Sequence, residues 1–534
     1  MPTPAEIWAD AGLPTRRLAG LALNPAVPES VLLRLLADAP LAARMALCRD
    51  RALPDAVVDA VIDHPDTRTR SFFARNPHVD PAQRARLVDD PEWFVRAHLA
   101  EGPEARFPDR LRPLPDETVI HMIRTYDDEL RGSLYRHVSA PLRASIRTHP
   151  IAEVRRWGLG MFGPGTADQL AALLADPDDG VREAARRHAR LEDPVWVENA
   201  LPDRSCHART DMLLNRALSR AVVESVLATP VGGEDRAMIA ANPTLPPETV
   251  ALLAADPEPE IRGRIACRTD LGPAERHALV ADPDPGVRRR VARHPDLGPA
   301  ERRALATDSD PEVRLAVSVH PGLSEEERAR IDYEVPLDDD FGPRIPGLTP
   351  QEPETVRRNA LSDHPLLRRR AAGDHLLPPD LVARLADDDD LGVRVLLAQN
   401  HPDAPAPLLL RGFVEYTGAG RSRLTSRPNF PTDGLAAYAD HEDPDVRALA
   451  TRDPRTGSAV VERLSRDPDP AVRAAAARHP ALPPCRLAEL LDDEELAHAA
   501  AANPALDPDT VRLLVETNGR EARPAAREDP AGRP

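Results

Sequence analysis

The chain contains no lysine, so all 69 of its basic side chains are arginine. GC-rich coding bias accounts for this most simply, but it also gives every cationic position a planar fork able to bind a carboxylate through two bonds. Aromatic residues make up only 3% of the chain, so the apolar 42% that must form the interior is mainly Ala, Leu and Val. Cysteine is scarce: Cys48, Cys206, Cys267 and Cys485 are scattered and form no C-x-x-C pair, which argues against both a disulfide framework and a zinc site. No apolar run reaches the roughly 18 residues that a membrane-spanning helix needs. The first 14 residues contain Glu6 and Asp10 but no apolar core, unlike a secretory leader. A soluble, cytoplasmic protein is the expectation. Phosphate-cradling glycine loops, H-E-x-x-H and nucleophile-elbow patterns are missing as well, and the glycines between Gly160 and Gly165 read as a turn. The net charge of −18 opposes bulk attraction to nucleic acid or anionic membranes.

Proline, by contrast, is abundant, with 59 residues spread along the whole length. That distribution suits the punctuation of many short helices. A Val-Arg element recurs at a fixed interval: Arg44, Arg70 and Arg96 stand 26 residues apart, as do Arg236, Arg262, Arg288 and Arg314. The same step separates Arg368 from Arg394 and Arg447 from Arg473. One unit reads Leu271, Pro273, Leu279, Asp282, Val287-Arg288, Val291-Ala292 and His294-Pro295, and the next repeats it through His320-Pro321. Proline suits the first turn of a helix, where its missing N–H goes unneeded. The residue before the closing proline is pushed out of helical geometry and stops the second helix. Each unit is thus two brief helices with apolar stripes too narrow to fold alone, which become stable by stacking on copies of themselves. The expected fold is all-α, a solenoid of stacked short helix pairs with about 26 residues per unit.

These residues resemble the leucine-rich repeat variant family, whose unit has a V-R…A element, an Asn/His-Pro boundary, a P-x-x-h-x-x-L-A helix and an Asp-Pro turn. The resemblance implies alternating α- and 3₁₀-helices in a right-handed superhelix, related in shape to HEAT and armadillo solenoids. The founding example of the family is associated with an amino-terminal cysteine cluster holding an iron–sulfur centre. Here the amino-terminal region offers only Cys48, so no cofactor is expected. Expected boundaries are an N-terminal cap at 1–23, the solenoid at 24–517 with expanded or degenerate units near 104–148, 188–214, 322–365 and 408–427, and a disordered tail at 518–534.

Aspartate stands six residues before arginine in Asp38/Arg44, Asp176/Arg182, Asp256/Arg262, Asp282/Arg288, Asp308/Arg314 and Asp467/Arg473. We read these pairs as a structural ladder, with each carboxylate at a helix start accepting from an arginine of its own or the next unit. His64, His149, His294, His320, His364 and His479 each precede proline, with Asn76, Asn242 and Asn503 in the same place. Asparagine is not an ordinary metal ligand, so the column reads as helix stops, and no metal is expected. Trp93 and Phe94 depart from the repeat at a solvent-facing turn, and Tyr333 and Phe341 flank the run Asp338 to Asp340 in the largest insertion. These four are the candidate partner-binding residues. The leading function is a non-enzymatic scaffold for an unidentified protein or peptide. Nucleic-acid binding through an arginine-rich concave face and an enzyme built on a solenoid are the alternatives. Oligomeric state is left open.

Overall fold

Helices of seven or eight residues dominate because each unit carries its own start and stop signals. The computed structural model describes residues 4–9, 11–103, 112–228, 234–336 and 352–521. Among them are 37 α-helices and no strand. In a representative stretch, Pro273–Val280 and Pro285–Val291 are followed by Pro299–Ala306 and Pro311–Ser318, each opening on proline. Asp310 caps its helix by accepting from the N–H groups of Glu312 (2.9 Å) and Val313 (3.2 Å). Leu279, Val287, Val291, Leu305, Val313 and Val317 are buried, so the stripes of both helices enter one continuous interior. The second helix of the unit is a short α-helix in most units; 3₁₀ turns occur at Leu134–His137, Leu435–Tyr438 and Ala450–Arg452.

The helices fall into two units, residues 186–431 and a unit made of residues 1–185 with 432–534. In the first of these, the second helices His207–Asn215, Glu234–Ala241, Pro259–Ile265, Pro285–Val291 and Pro311–Ser318 pack in sequence order. The other unit joins the two ends of the sequence. Its row of second helices runs Pro444–Leu449, Pro470–Ala477, Ala497–Ala501, and the next in line is Leu13–Leu23, followed by Leu41–Arg49 and Thr67–Ala74. The row of first helices continues likewise from Pro508–Glu521 to Glu29–Asp38 and Asp55–Ile62. One repeat is therefore split, its first helix being Pro508–Glu521 and its second Leu13–Leu23. A cap is covered on one side, whereas Leu13–Leu23 is covered on both. Leu18, Leu21, Ala500, Ala501, Val511 and Leu514 belong to a single apolar core. Gly20 permits this approach, since a Cβ there would overlap the carbonyl oxygen of His498 and the Cβ of Ala501. Residues 518–521, placed in the expected disordered tail, are helical, and residues 522–534 lie outside the described ones.

Several unit boundaries are sealed by a side chain at the stop of the second helix. Asn76 Oδ1 accepts from the N–H of His78 (2.7 Å), while its Nδ2 donates to the carbonyls of Cys48 (2.7 Å) and Arg51 (2.9 Å) in the preceding unit. Asn242 and Asn503 repeat this pattern. Histidine fills the slot with one donor fewer: His320 Nδ1 accepts from Gly322 and Nε2 donates to the carbonyl of His294 (2.9 Å). Asn76→Ala removes the donor from the buried Cys48 carbonyl and the half-buried Arg51 carbonyl and should lower local stability by about 2–3 kcal/mol. Asn76→His should lower it by less. Urea unfolding followed by hydrogen exchange measures both, and equal losses would show that the slot does not work through its hydrogen bonds.

Candidate functional site: the polar ladder and its departures

The ladder arginines leave the second helices one turn after the start and reach in two directions. Arg262 Nη1 donates to the carbonyl of Asp256 (2.8 Å) in its own unit, while Nε and Nη2 hold both carboxylate oxygens of Asp282 in the next unit at 2.7 and 2.9 Å. Arg288 does the same with the Asp282 carbonyl and the Asp308 carboxylate. Arg447 pairs with Asp467, and Arg473 with Glu495. Arg236 pairs with the carboxylate of Asp256. The six-residue spacing thus marks a bond to the aspartate's backbone oxygen, and the carboxylate takes the arginine of the preceding unit. Nor is the aspartate the helix cap: Asp282 Oδ1 accepts from the N–H of Asp284, and Asp284 caps Val287. The pattern frays where the neighbour differs. Arg44 reaches Asp66 at 2.9 Å, with His64 standing in the aspartate's place, and Arg314 reaches the carbonyl of Asp332 at 2.6 Å. Arg182 donates to the carbonyl of Asp176 (2.5 Å) and pairs with Asp179, while the Asp176 carboxylate is held by Arg155. Asp38 precedes Arg44 in the first of these units.

The histidines before proline do not form one column; they occupy three places. His294, His320 and His479 stand at the second-helix stop with the asparagines. His64 and His149 stand at the turn, where other units have aspartate, and their carbonyls accept from Arg70 and Arg155. His364 caps its helix by accepting from the N–H of Leu366 (3.2 Å). Proline follows in all three places, so the dipeptide alone does not distinguish them. Among the described residues no group of three or more His, Cys, Asp or Glu side chains is placed to hold a metal ion. The thiol of Cys48 is buried and its pKa pushed up by that burial, whereas Cys267 and Cys485 are exposed.

Trp93 and Phe94 belong to one unit and Tyr333 to the other. Trp93 begins helix Trp93–Glu101 at 42% exposure, its indole N–H donating to Asp127 Oδ2 at 3.2 Å. Phe94, half-buried, packs on His98 with ring centres 4.1 Å apart. Tyr333 stacks on His364 at 4.4 Å and 16°. Phe341 and Asp338 to Asp340 lie outside the described residues. One polar cluster was not foreseen. His364 Nε2 lies 2.8 Å from Ser318 Oγ, in the stack 46 residues earlier in sequence, and Glu325 accepts from Ser362 (2.9 Å) and the N–H of Asp363 (3.1 Å). The insertion separates these residues, so no sequence spacing announces them. Because His364 Nδ1 is the acceptor for Leu366, Nε2 carries the proton and donates to Ser318, whose hydroxyl donates to the carbonyl of Leu315 (2.7 Å). With that polarity the histidine is no base for the serine, and the pair joins the repeats on either side of the insertion.

With the geometry in place, comparison with known proteins adds little. No family model matches the chain, and no curated protein matches it. Among solved structures it is similar to a leucine-rich repeat variant with a repetitive structural motif, at 23% identity over 49% of this chain and 89% of that one, with a TM-score of 0.21. It is also similar to an engineered protein at 15% identity, covering 91% of this chain and 93% of that one, with a TM-score of 0.10. Superposition scores this low carry no weight beside the repeat itself. No described helix is long and apolar enough to cross a membrane.

Two tests follow from these contacts. Arg288→Ala removes the cation from the half-buried Asp308 carboxylate and should cost about 1–2 kcal/mol; Arg288→Lys, which cannot bind two oxygens and a carbonyl together, should recover only part of it. Urea unfolding checks both, and full recovery by lysine would mean that charge alone matters. The second test is pH. Burial lowers the pKa of His64, His294, His320 and His401 below 6.5, and that of His364 to about 4. Hydrogen bonds from Arg155, Arg288 and Arg447 lower Asp176, Asp308 and Asp467 below 3.8. Both sets stabilise the protein when deprotonated. The histidine contribution is complete above pH 6.5 and declines as pH falls from there towards 4. The aspartate contribution is lost as pH falls below 3.8, through the depressed folded values. The urea midpoint should therefore decline in two stages on acidification, and a midpoint flat between pH 7 and 4 would contradict the histidine assignment.

Proposed function

We propose that this protein is a non-enzymatic repeat scaffold, a helical solenoid of the leucine-rich repeat variant type, that binds a protein or peptide partner. The observation that carries this reading is where the recurring polar groups go. The arginine, aspartate, asparagine and histidine columns are taken up in holding units together, as Arg262, Asp282 and Asn242 illustrate. Recognition then falls to residues that depart from the repeat: exposed Trp93 with Phe94 beside it, and the insertion that begins near Tyr333. Exposed aromatic side chains suit this role because they bury much area while losing little rotamer freedom. Arginines already bound to carboxylates are poor phosphate ligands, which weighs against nucleic acid as the partner.

The test is retention from a native lysate on immobilised full-length protein, with and without nuclease, alongside Trp93→Ala/Phe94→Ala and Tyr333→Ala variants. A protein partner should remain after nuclease treatment and fall several-fold with one of the variants. Retention abolished by nuclease would replace this reading with nucleic-acid binding. Retention indifferent to all three substitutions would remove these aromatics from the partner surface.

A further inference from the structure

Helices Pro508–Glu521 and Leu13–Leu23 complete one repeat from opposite ends of the sequence. We propose that this junction is exchangeable: the C-terminal face that receives residues 13–24 of its own chain takes the same segment from a second copy, giving a dimer closed by two such junctions.

The contacts are those of an ordinary unit boundary. Asn24 Oδ1 accepts from the N–H of Ala26, and its Nδ2 donates to the carbonyls of Ala501 (3.1 Å) and Asn503 (2.7 Å). This is the pattern by which Asn503 itself donates to Ala477 and His479. Arg17 donates through Nε to the carbonyl of Leu491 (2.8 Å) and pairs with Asp492. Trp8 meets the ring of His498 edge-on at 5.1 Å. None of these contacts requires its two sides to belong to one molecule. What separates this boundary from the others is its connection. Elsewhere consecutive units follow each other along the chain, and neither can leave without dragging its neighbours. Here the two sides are joined only through the hundreds of residues between them, so this boundary can open without parting units that are consecutive in sequence. The two surfaces differ from each other, so a pair of copies that swap ends satisfies both junctions at once.

The test uses two full-length variants with different tags, Arg17→Asp and Asp492→Arg. Each alone places like charges at the junction, both within one chain and in its own dimer. In a mixed dimer one junction joins the two substituted residues, with opposite charges, and the other keeps the native pair. The variants are refolded together from urea at high concentration and counted by native mass spectrometry. Mixed dimers should exceed either homodimer by about fivefold or more, where random pairing gives about twofold. The wild-type dimer fraction should rise with protein concentration during refolding, and Gly20→Val should abolish it. Monomer at every concentration, mixed dimers at the random ratio, or dimers undiminished by Gly20→Val would each overturn the proposal.

Discussion

An α-helix leaves its first four N–H groups and last four carbonyls without partners inside the helix. In a helix of seven or eight residues such as Pro285–Val291 or Pro299–Ala306, that is about half of all the backbone polar groups. Everything else in this structure answers to that constraint. Proline at the first position removes one orphan donor, a capping aspartate such as Asp284 satisfies others, and arginine from the second helix covers the turn carbonyls. Asparagine or histidine at the stop then reaches back for carbonyls of the unit before. Apolar stripes supply the driving force of stacking, but polar columns decide its register, because only one offset between units matches donors to acceptors.

The same requirement explains why histidine and asparagine share a place. Both offer an acceptor for the N–H two residues on and a donor for the neighbouring unit. Histidine must be neutral to do so, and burial keeps it neutral, as at His320. Arginine at the ladder satisfies a local carbonyl and a distant carboxylate with one planar group, which lysine cannot do. A chain without lysine is well suited to such a design, whatever the origin of its composition.

Much of this was legible in the sequence because architecture repeats. The 26-residue step, the two short helices and the core positions Val287, Val291 and Ala292 all follow from periodicity and proline placement. The ladder's true partners were not legible. The six-residue interval between Asp282 and Arg288 is a backbone contact, while the ion pair from Arg288 to Asp308 spans twenty residues and crosses units. Histidine before proline looked uniform because proline follows three different structural places. Leu13–Leu23 carries no mark of its neighbour, since half a repeat looks alike whether its other half precedes it or lies at the far end. Tyr333 and His364 meet across an insertion whose length hides the continued stack.

The split repeat also bears on how the protein is made. Leu13–Leu23 leaves the ribosome long before Ala500 and Ala501, with the face that will bury Leu18 and Leu21 against them still uncovered. Its counterpart, Pro508–Glu521, is translated about 500 residues later. At about 5–20 residues per second that interval is on the order of a minute. Throughout it the nascent chain carries an oily helix face with nothing to cover it, a natural station for a chaperone.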